Sequence, residues 1–198
     1  INYEFQSDKN YLGISAAMYE NLTSSDSDKT RFEYSVPNIL FERNLFTGDK
    51  TGVFDIRSNA FVKNFKVNQT TKFWINDVNW QSNPFVSLNG IQNKFKGLFK
   101  IVNYEAEGAQ KYKTEGLNSE VSGVLAYDAK LPMSKKNQDK NKINFFTPKL
   151  SFRYAPGHMR NIQDDDLKLS YSNAFLLNKN AEPDVIEEGE SIATGFEI

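Results

Sequence analysis

Apolar and polar residues alternate along much of this chain, and the alternation is clearest in its last third. From Lys149 to Tyr154 every second residue is apolar, and a period of two recurs from Leu167 to Leu177 and from Ile192 to Ile198. This period is typical of an extended strand with one apolar and one polar face. The segment from Leu167 to Leu177 has about the length of a strand that crosses a bilayer at a tilt.

The same pattern predicts strands in the earlier part of the chain. They are Ile1 to Gln6, Tyr11 to Asn21, Phe32 to Val36, Val53 to Lys63, Thr70 to Asn79, Phe95 to Tyr104 and Val121 to Leu131. Pro37 is expected to end the third of these, because proline cannot donate to a strand ladder. Leu45 to Gly52 carries turn residues, Glu105 to Glu120 reads as a long polar loop, and Pro132 to Lys142 as a lysine-rich loop.

This count gives about ten strands joined by long polar connections, which favours a transmembrane barrel. The predicted fold is all-β, an antiparallel up-and-down transmembrane β-barrel segment, and a large soluble β-sheet protein is the alternative. We expect residues 1–198 to be part of one barrel domain and an internal fragment of a longer chain, since the chain starts at Ile1 without a signal segment. No apolar run of about 18 residues is present.

Composition narrows the classes of function. The formal net charge is -1 and the basic residues are spread along the chain, so nothing favours a nucleic-acid partner. The absence of cysteine removes thiol nucleophiles and cysteine zinc sites. Aromatic residues make up 14% of the chain, which suits strands. Trp74 and Trp80 are expected at or beside strand ends, either capping a core or forming an interfacial belt.

The candidates for catalysis or metal binding are weak. One candidate is a Ser-His-Asp catalytic triad made of Ser151, His158 and Asp164. The Gly-x-Ser-x-Gly nucleophile elbow is absent, however, and a solvated histidine in a loop is the favoured interpretation of His158. The acidic runs 26–28 and 164–166 lack the spacing of a calcium loop. We therefore predict no catalytic, cofactor-binding or metal-binding residue, and no cofactor.

Four lysines in the loop before the last third could contact phosphorylated lipid headgroups, namely Lys135, Lys136, Lys140 and Lys142, although a solvated loop is the simpler interpretation. Glycosylation sequons begin at Asn21 and Asn68, and they would matter only in a secreted eukaryotic protein.

The last third also resembles the β-barrel portion of the lipopolysaccharide-assembly family of Gram-negative bacteria, known as LptD or OstA (organic solvent tolerance). The residues that carry the resemblance are Pro148, Leu150, Arg153, Tyr154 and Pro156, followed by Leu169, Tyr171, Asn173, Phe175, Asn178, Asp184, Glu187, Gly189, Ser191 and Gly195. Lys179 and Val185 depart from the pattern, because the family usually has arginine at both places. The disulfide cysteines of the family are missing here.

This resemblance implies a non-enzymatic translocon component that assembles lipopolysaccharide into the outer leaflet of the cell outer membrane. Its implied partners are lipopolysaccharide, a plug lipoprotein of the LptE type, a periplasmic bridge protein of the LptA type and the outer membrane itself. Two other classes stay open: a different outer-membrane barrel such as a porin or receptor, and a soluble β-sandwich carbohydrate-binding or adhesin domain. On the barrel interpretation, a charge at Phe152 or Phe196 should be costly and one at Ser151 tolerated.

Overall fold

The computed structural model describes residues 1–20, 32–65, 69–109, 112–113, 116–137, 142–157, 170, 172–180 and 182–198. Every regular element in these ranges is a β-strand. The described residues contain no helix with the length and apolar character needed to span a membrane.

Eleven strands form one antiparallel sheet. They are β1 (Asn2–Gln6), β2 (Asn10–Glu20), β3 (Phe32–Gly48), β4 (Gly52–Phe65), β5 (Gln69–Gln81), β6 (Phe85–Val86), β7 (Gln92–Glu107), β8 (Asn118–Lys130), β9 (Met133–Asn137), β10 (Lys142–Ala155) and β11 (Gly189–Glu197). Their order is β1-β2-β3-β4-β5-β7-β8-β10-β11, with β6 on β7 and β9 on β10. The predicted all-β, up-and-down architecture is confirmed, whereas the described pairings end at β1 and β11 and do not join them.

The chain divides into two compact units. The first comprises Ile1–Leu45, Asp55–Val78 and Lys100–Val121, and the second comprises Phe46–Phe54, Asn79–Phe99 and Ser122–Ile198. In the first unit Phe73 stacks on Phe61 and Tyr104 at centroid distances of 5.2 and 5.7 Å. In the second unit Leu98, Val124, Ala155 and Ile186 form the buried apolar core.

The prediction that Pro37 ends a strand is wrong. Strand β3 runs through Pro37, and its register with β2 shifts between Ser15 and Ala17, directly opposite. A bulge interrupts the ladder with β2 at this point, and bulges are among the places where a sheet tolerates proline.

The predicted turn between β3 and β4 is confirmed with narrower bounds, residues 49–51. The Asn83 side chain donates to the carbonyls of Gly48 and Asp49 at 2.9 and 2.7 Å, and the Trp80 indole donates to that of Thr51 at 2.8 Å. Gly52 has φ 83°, a left-handed conformation that glycine adopts readily.

Two predicted loops are partly strand. In the lysine-rich stretch β9 pairs with the start of β10, so that Met133 lies opposite Phe146 and Lys136 opposite Ile143. The sequence hides this hairpin, because β9 is too short and polar to show an apolar face. The loop predicted over 105–120 is also shorter, since β7 continues to Glu107 and β8 begins at Asn118.

The strand predicted over 167–177 is wrong in its described part. Residues 172–175 form a turn, in which the Ala174 N–H donates to the Ser170 carbonyl at 3.1 Å and the Leu176 N–H to that of Asn173 at 3.0 Å. Residues 167–169 and 171 lie outside the described residues. The alternation of apolar residues wrongly predicted a strand here. Leu177 packs on the core from a segment without regular structure, so an apolar residue in this pattern did not require an extended backbone.

Candidate functional site

Strand β10 exposes its apolar residues and buries its polar ones. Leu150, Phe152 and Tyr154 are 41%, 42% and 45% exposed, whereas Ser151 and Arg153 are 5% and 2% exposed. In a water-soluble sheet with one covered face the apolar side is normally the covered one. The alternation predicted for this strand is confirmed. Its apolar residues are exposed and its polar residues are buried, which is the reverse of the arrangement in a water-soluble sheet.

The exposed apolar residues continue onto both neighbouring strands. In the register of the sheet Tyr154 lies opposite Leu125 of β8, and Phe152 lies opposite Ile192 of β11. Directly opposed residues share a face, so these side chains form one surface, which we call the apolar face. Leu125 and Ile192 are 61% and 70% exposed. Contiguous exposed apolar surface is a common feature of sites that contact a membrane or another protein.

The first compact unit shows a similar exposure of apolar side chains. Tyr3 of β1 lies opposite Ile14 of β2, and they are 59% and 39% exposed. On the covered side of β5 and β7 the ammonium group of Lys100, 2% exposed, lies 2.6 Å from the Asp77 carboxylate. A buried lysine is tolerated only with such a partner, so this unit also places charge on its covered side.

The opposite side of β8 and β10, the polar face, carries a charged network. The Ser151 hydroxyl donates to Asp128 at 2.6 Å, and the Lys96 ammonium group is ion-paired with the same carboxylate. Asp128 therefore serves two partners. A lysine at position 151 would break the hydroxyl bond and bring a second ammonium group next to Lys96, so this position is less tolerant than the sequence suggested.

Residues 172–188, apart from residue 181, fold against the polar face, and we call them the covering segment. Arg153 fastens this segment, because its guanidinium donates to the carbonyl of Leu177 at 2.5 Å and also to that of Glu187. Leu177 and Ile186 pack on the core beside the arginine. One buried side chain thus satisfies two backbone acceptors of a segment without regular structure.

Side-chain hydrogen bonds stabilise the covering segment. The Asn178 amide donates to the Val185 carbonyl at 2.8 Å, and the Lys179 ammonium donates to the Ser191 hydroxyl at 2.8 Å. Lys179 also lies 4.0 Å from Glu187 Oε2, which is an ion pair without a direct hydrogen bond. Lys179 thus keeps a charged contact, and Val185 is completely buried.

A cleft of about 550 Å³ opens next to the covering segment. Charged and polar residues of β7, β8, β10 and β11 line it, together with Phe175 of the covering segment and the apolar residues Pro84, Ala129, Leu150 and Phe196. The charged members are Lys94, Lys96, Asp128, Lys130, Lys149 and Glu197, and we call the space the lysine cleft. Sequence analysis missed this group, and its only signal was lysines at alternate positions of neighbouring strands.

The other residues singled out from sequence are dispersed. Trp74 lies in the middle of β5 and is 55% exposed, so its predicted place at a strand end is wrong, whereas Trp80 is next to the end of β5. Lys135 and Lys136 are on β9, and Lys142 begins β10.

Several predicted positions lie outside the described residues: Asn21, Asn68, Lys140, His158, Asp164 and the acidic runs 26–28 and 164–166. Ser151, the remaining member of the imagined catalytic device, is engaged with Asp128. Within the described ranges no cluster of three or more His, Cys, Asp or Glu side chains could hold a metal ion. No protein-family model, curated protein or solved structure matches this chain.

Proposed function

We propose that this chain is a segment of an outer-membrane β-barrel that assembles lipopolysaccharide into the outer leaflet, acting without bond-making chemistry. In this proposal the apolar face contacts lipid, the polar face lines the lumen, and the covering segment lies inside it. The partners are those of the resembled family: lipopolysaccharide, a plug lipoprotein and a periplasmic bridge protein.

The membrane part of the proposal rests on the inverted burial of β10. Exposed Phe152 next to buried Arg153 is unfavourable in water, since apolar surface stays hydrated while a charge loses its hydration. In a bilayer the same arrangement is favourable, because lipid replaces water around Phe152 and the polar face stays away from hydrocarbon.

The lipopolysaccharide part rests on the family resemblance together with what its residues do. Arg153 and Ser191 bind the covering segment to the polar face through the Glu187 carbonyl and Lys179, and Asn178 makes a bond within the segment. A spacing shared with the family therefore corresponds to a connected set of contacts. A polar passage partly filled by a folded segment suits a large amphipathic substrate, which needs guidance by surface polarity.

The first test is the location of the intact protein that carries this chain. Membrane fractionation followed by gel mobility with and without heating should give an outer-membrane band that shifts on heating. A soluble species with unchanged mobility would instead support the carbohydrate-binding or adhesin alternative.

The second test separates lipopolysaccharide assembly from other barrel functions. A photo-crosslinking residue at Ser172, which lines the lysine cleft, should capture lipopolysaccharide in growing cells. The comparator at Phe152 should capture phospholipid as well, since it lies on the apolar face. An outer-membrane protein with no lipopolysaccharide adduct at Ser172 would point to a porin or receptor.

A further inference from the structure

We infer that the lysine cleft binds a phosphate group carried by a saccharide. The choice of a saccharide rests on the proposed function, whereas the preference for an anion comes from the charges of the cleft. Four lysines and two carboxylates line the space, so it carries an excess of positive charge.

The central observation is a like-charge pair. Lys130 of β8 and Lys149 of β10 are directly opposite each other in the antiparallel register, so their side chains leave the same face. Directly opposed residues have Cβ atoms about 5 Å apart, and like charges there destabilise a sheet. Glu197 is ion-paired with Lys149, so an anion next to Lys130 would supply the counter-charge that this pair still lacks.

The carboxylates of the cleft are already occupied. Asp128 accepts from Ser151 and is ion-paired with Lys96, while Glu197 is ion-paired with Lys149. The Lys94 ammonium donates to the neutral amide oxygen of Gln81 at 2.7 Å. Among the described residues, Lys94 and Lys130 therefore have no carboxylate partner, and both line the cleft.

The walls of the cleft limit the size of the ligand. Its volume of about 550 Å³ lies within the range of small-molecule sites. One wall is the Phe175 ring, which approaches β11 closely because residue 195 is glycine: a Cβ there would be 3.1 Å from Phe175 Cζ. Pro84, Leu150 and Phe196 add apolar lining, and Gln92 is a further polar lining residue. This combination fits a phosphorylated monosaccharide unit, with the phosphate at the lysines and the ring against Phe175.

Isothermal titration calorimetry of the intact protein in detergent tests the inference with four probes. Glucose 6-phosphate is the ligand mimic, glucose its uncharged match, inorganic phosphate the anion alone, and glycerol 3-phosphate a lipid-headgroup fragment. We expect glucose 6-phosphate to bind most tightly, glucose not to bind, and the affinity to fall with added salt.

The matched variants are Lys130→Gln and Lys94→Gln, with Lys50→Gln as the control in the turn 49–51, outside the cleft. Each cleft variant should weaken glucose 6-phosphate binding about tenfold, the scale of one lost charge-assisted bond, and the control should not. Lys130→Arg should keep the binding. Heat-shifted gel mobility reports whether each variant is folded.

The outcomes separate this inference from the proposed function. Binding that survives both cleft variants, or equal binding of glucose and glucose 6-phosphate, overturns the anion site even if the protein inserts in the outer membrane. If inorganic phosphate or glycerol 3-phosphate binds as tightly as the sugar phosphate, the saccharide part is wrong. Lysine-dependent binding by a protein that proves soluble would support the cleft and refute the membrane proposal.

Discussion

Phe152 and Arg153 are neighbours in the sequence, and the sheet places them in opposite environments. The phenylalanine is 42% exposed on the apolar face, and the arginine is 2% exposed beneath the covering segment. Arg153 compensates its burial through two backbone carbonyls. Phe152 is not covered by another part of the described structure, and in the membrane proposal it is surrounded by lipid.

The first prediction concerns the apolar face. Phe152→Lys should destabilise the folded protein in lipid vesicles by about 2–4 kcal/mol if the residue is near mid-bilayer. Phe152→Leu, which keeps the site apolar, should cost much less. Folding into vesicles, followed by gel mobility and urea titration, measures both. A soluble domain would tolerate a lysine at this half-exposed position within about 0.5 kcal/mol, and that result would refute the lipid contact.

The second prediction concerns the arginine that fastens the covering segment. Arg153→Lys keeps the charge, but a single ammonium group cannot reach both carbonyls in the same geometry, so we expect a loss of about 1–3 kcal/mol. Arg57→Lys is the control, since Arg57 forms an exposed ion pair with Glu42 that contributes little. Urea unfolding gives the free energies, and protease cleavage within 172–188 reports local release. Equal effects at the two arginines would contradict the role of Arg153.

The third prediction concerns the contact between Phe175 and Gly195. Gly195→Val should displace the Phe175 ring and cost about 1–3 kcal/mol, because even a Cβ comes within 3.1 Å of it. Gly123→Ala should be mild, since the nearest atom to an added Cβ is 3.6 Å away. Adding Phe175→Ala to Gly195→Val should recover part of the loss in a double-mutant cycle of unfolding free energies. Strict additivity would show that the two residues do not meet.

The fourth prediction concerns the two departures from the family pattern. Lys179→Arg should stabilise the protein by up to about 1 kcal/mol, because a longer, forked side chain can close the 4.0 Å gap to Glu187. Val185→Arg should be strongly destabilising on its own, since Val185 is 0% exposed and a charge there has no room. Thermal unfolding of the two variants should shift in opposite directions, and a gain for Val185→Arg would show that the segment can open.

Sequence alternation was most reliable where a strand is long and regular. The period of two located β10 and β11 and assigned Phe152 and Arg153 to opposite faces, because successive side chains of a strand must alternate. It failed at Pro37, where a bulge in β3 itself, with Val36 and Pro37 opposite Ala16 of β2, accommodates the proline. It also failed at β9, because this short polar strand has no apolar alternation and is identified only by its pairing with β10.

The sequence by itself determined the all-β class, most strand positions and the two-sided character of the strands, since these follow from local geometry. The tertiary structure decided which side is covered, because the covering segment folds onto the polar face through its bonds with Arg153. It also decided that Lys130 and Lys149 lie directly opposite each other, because this depends on the register between β8 and β10. Such long-range pairings join residues far apart in the chain, and no local pattern specifies them.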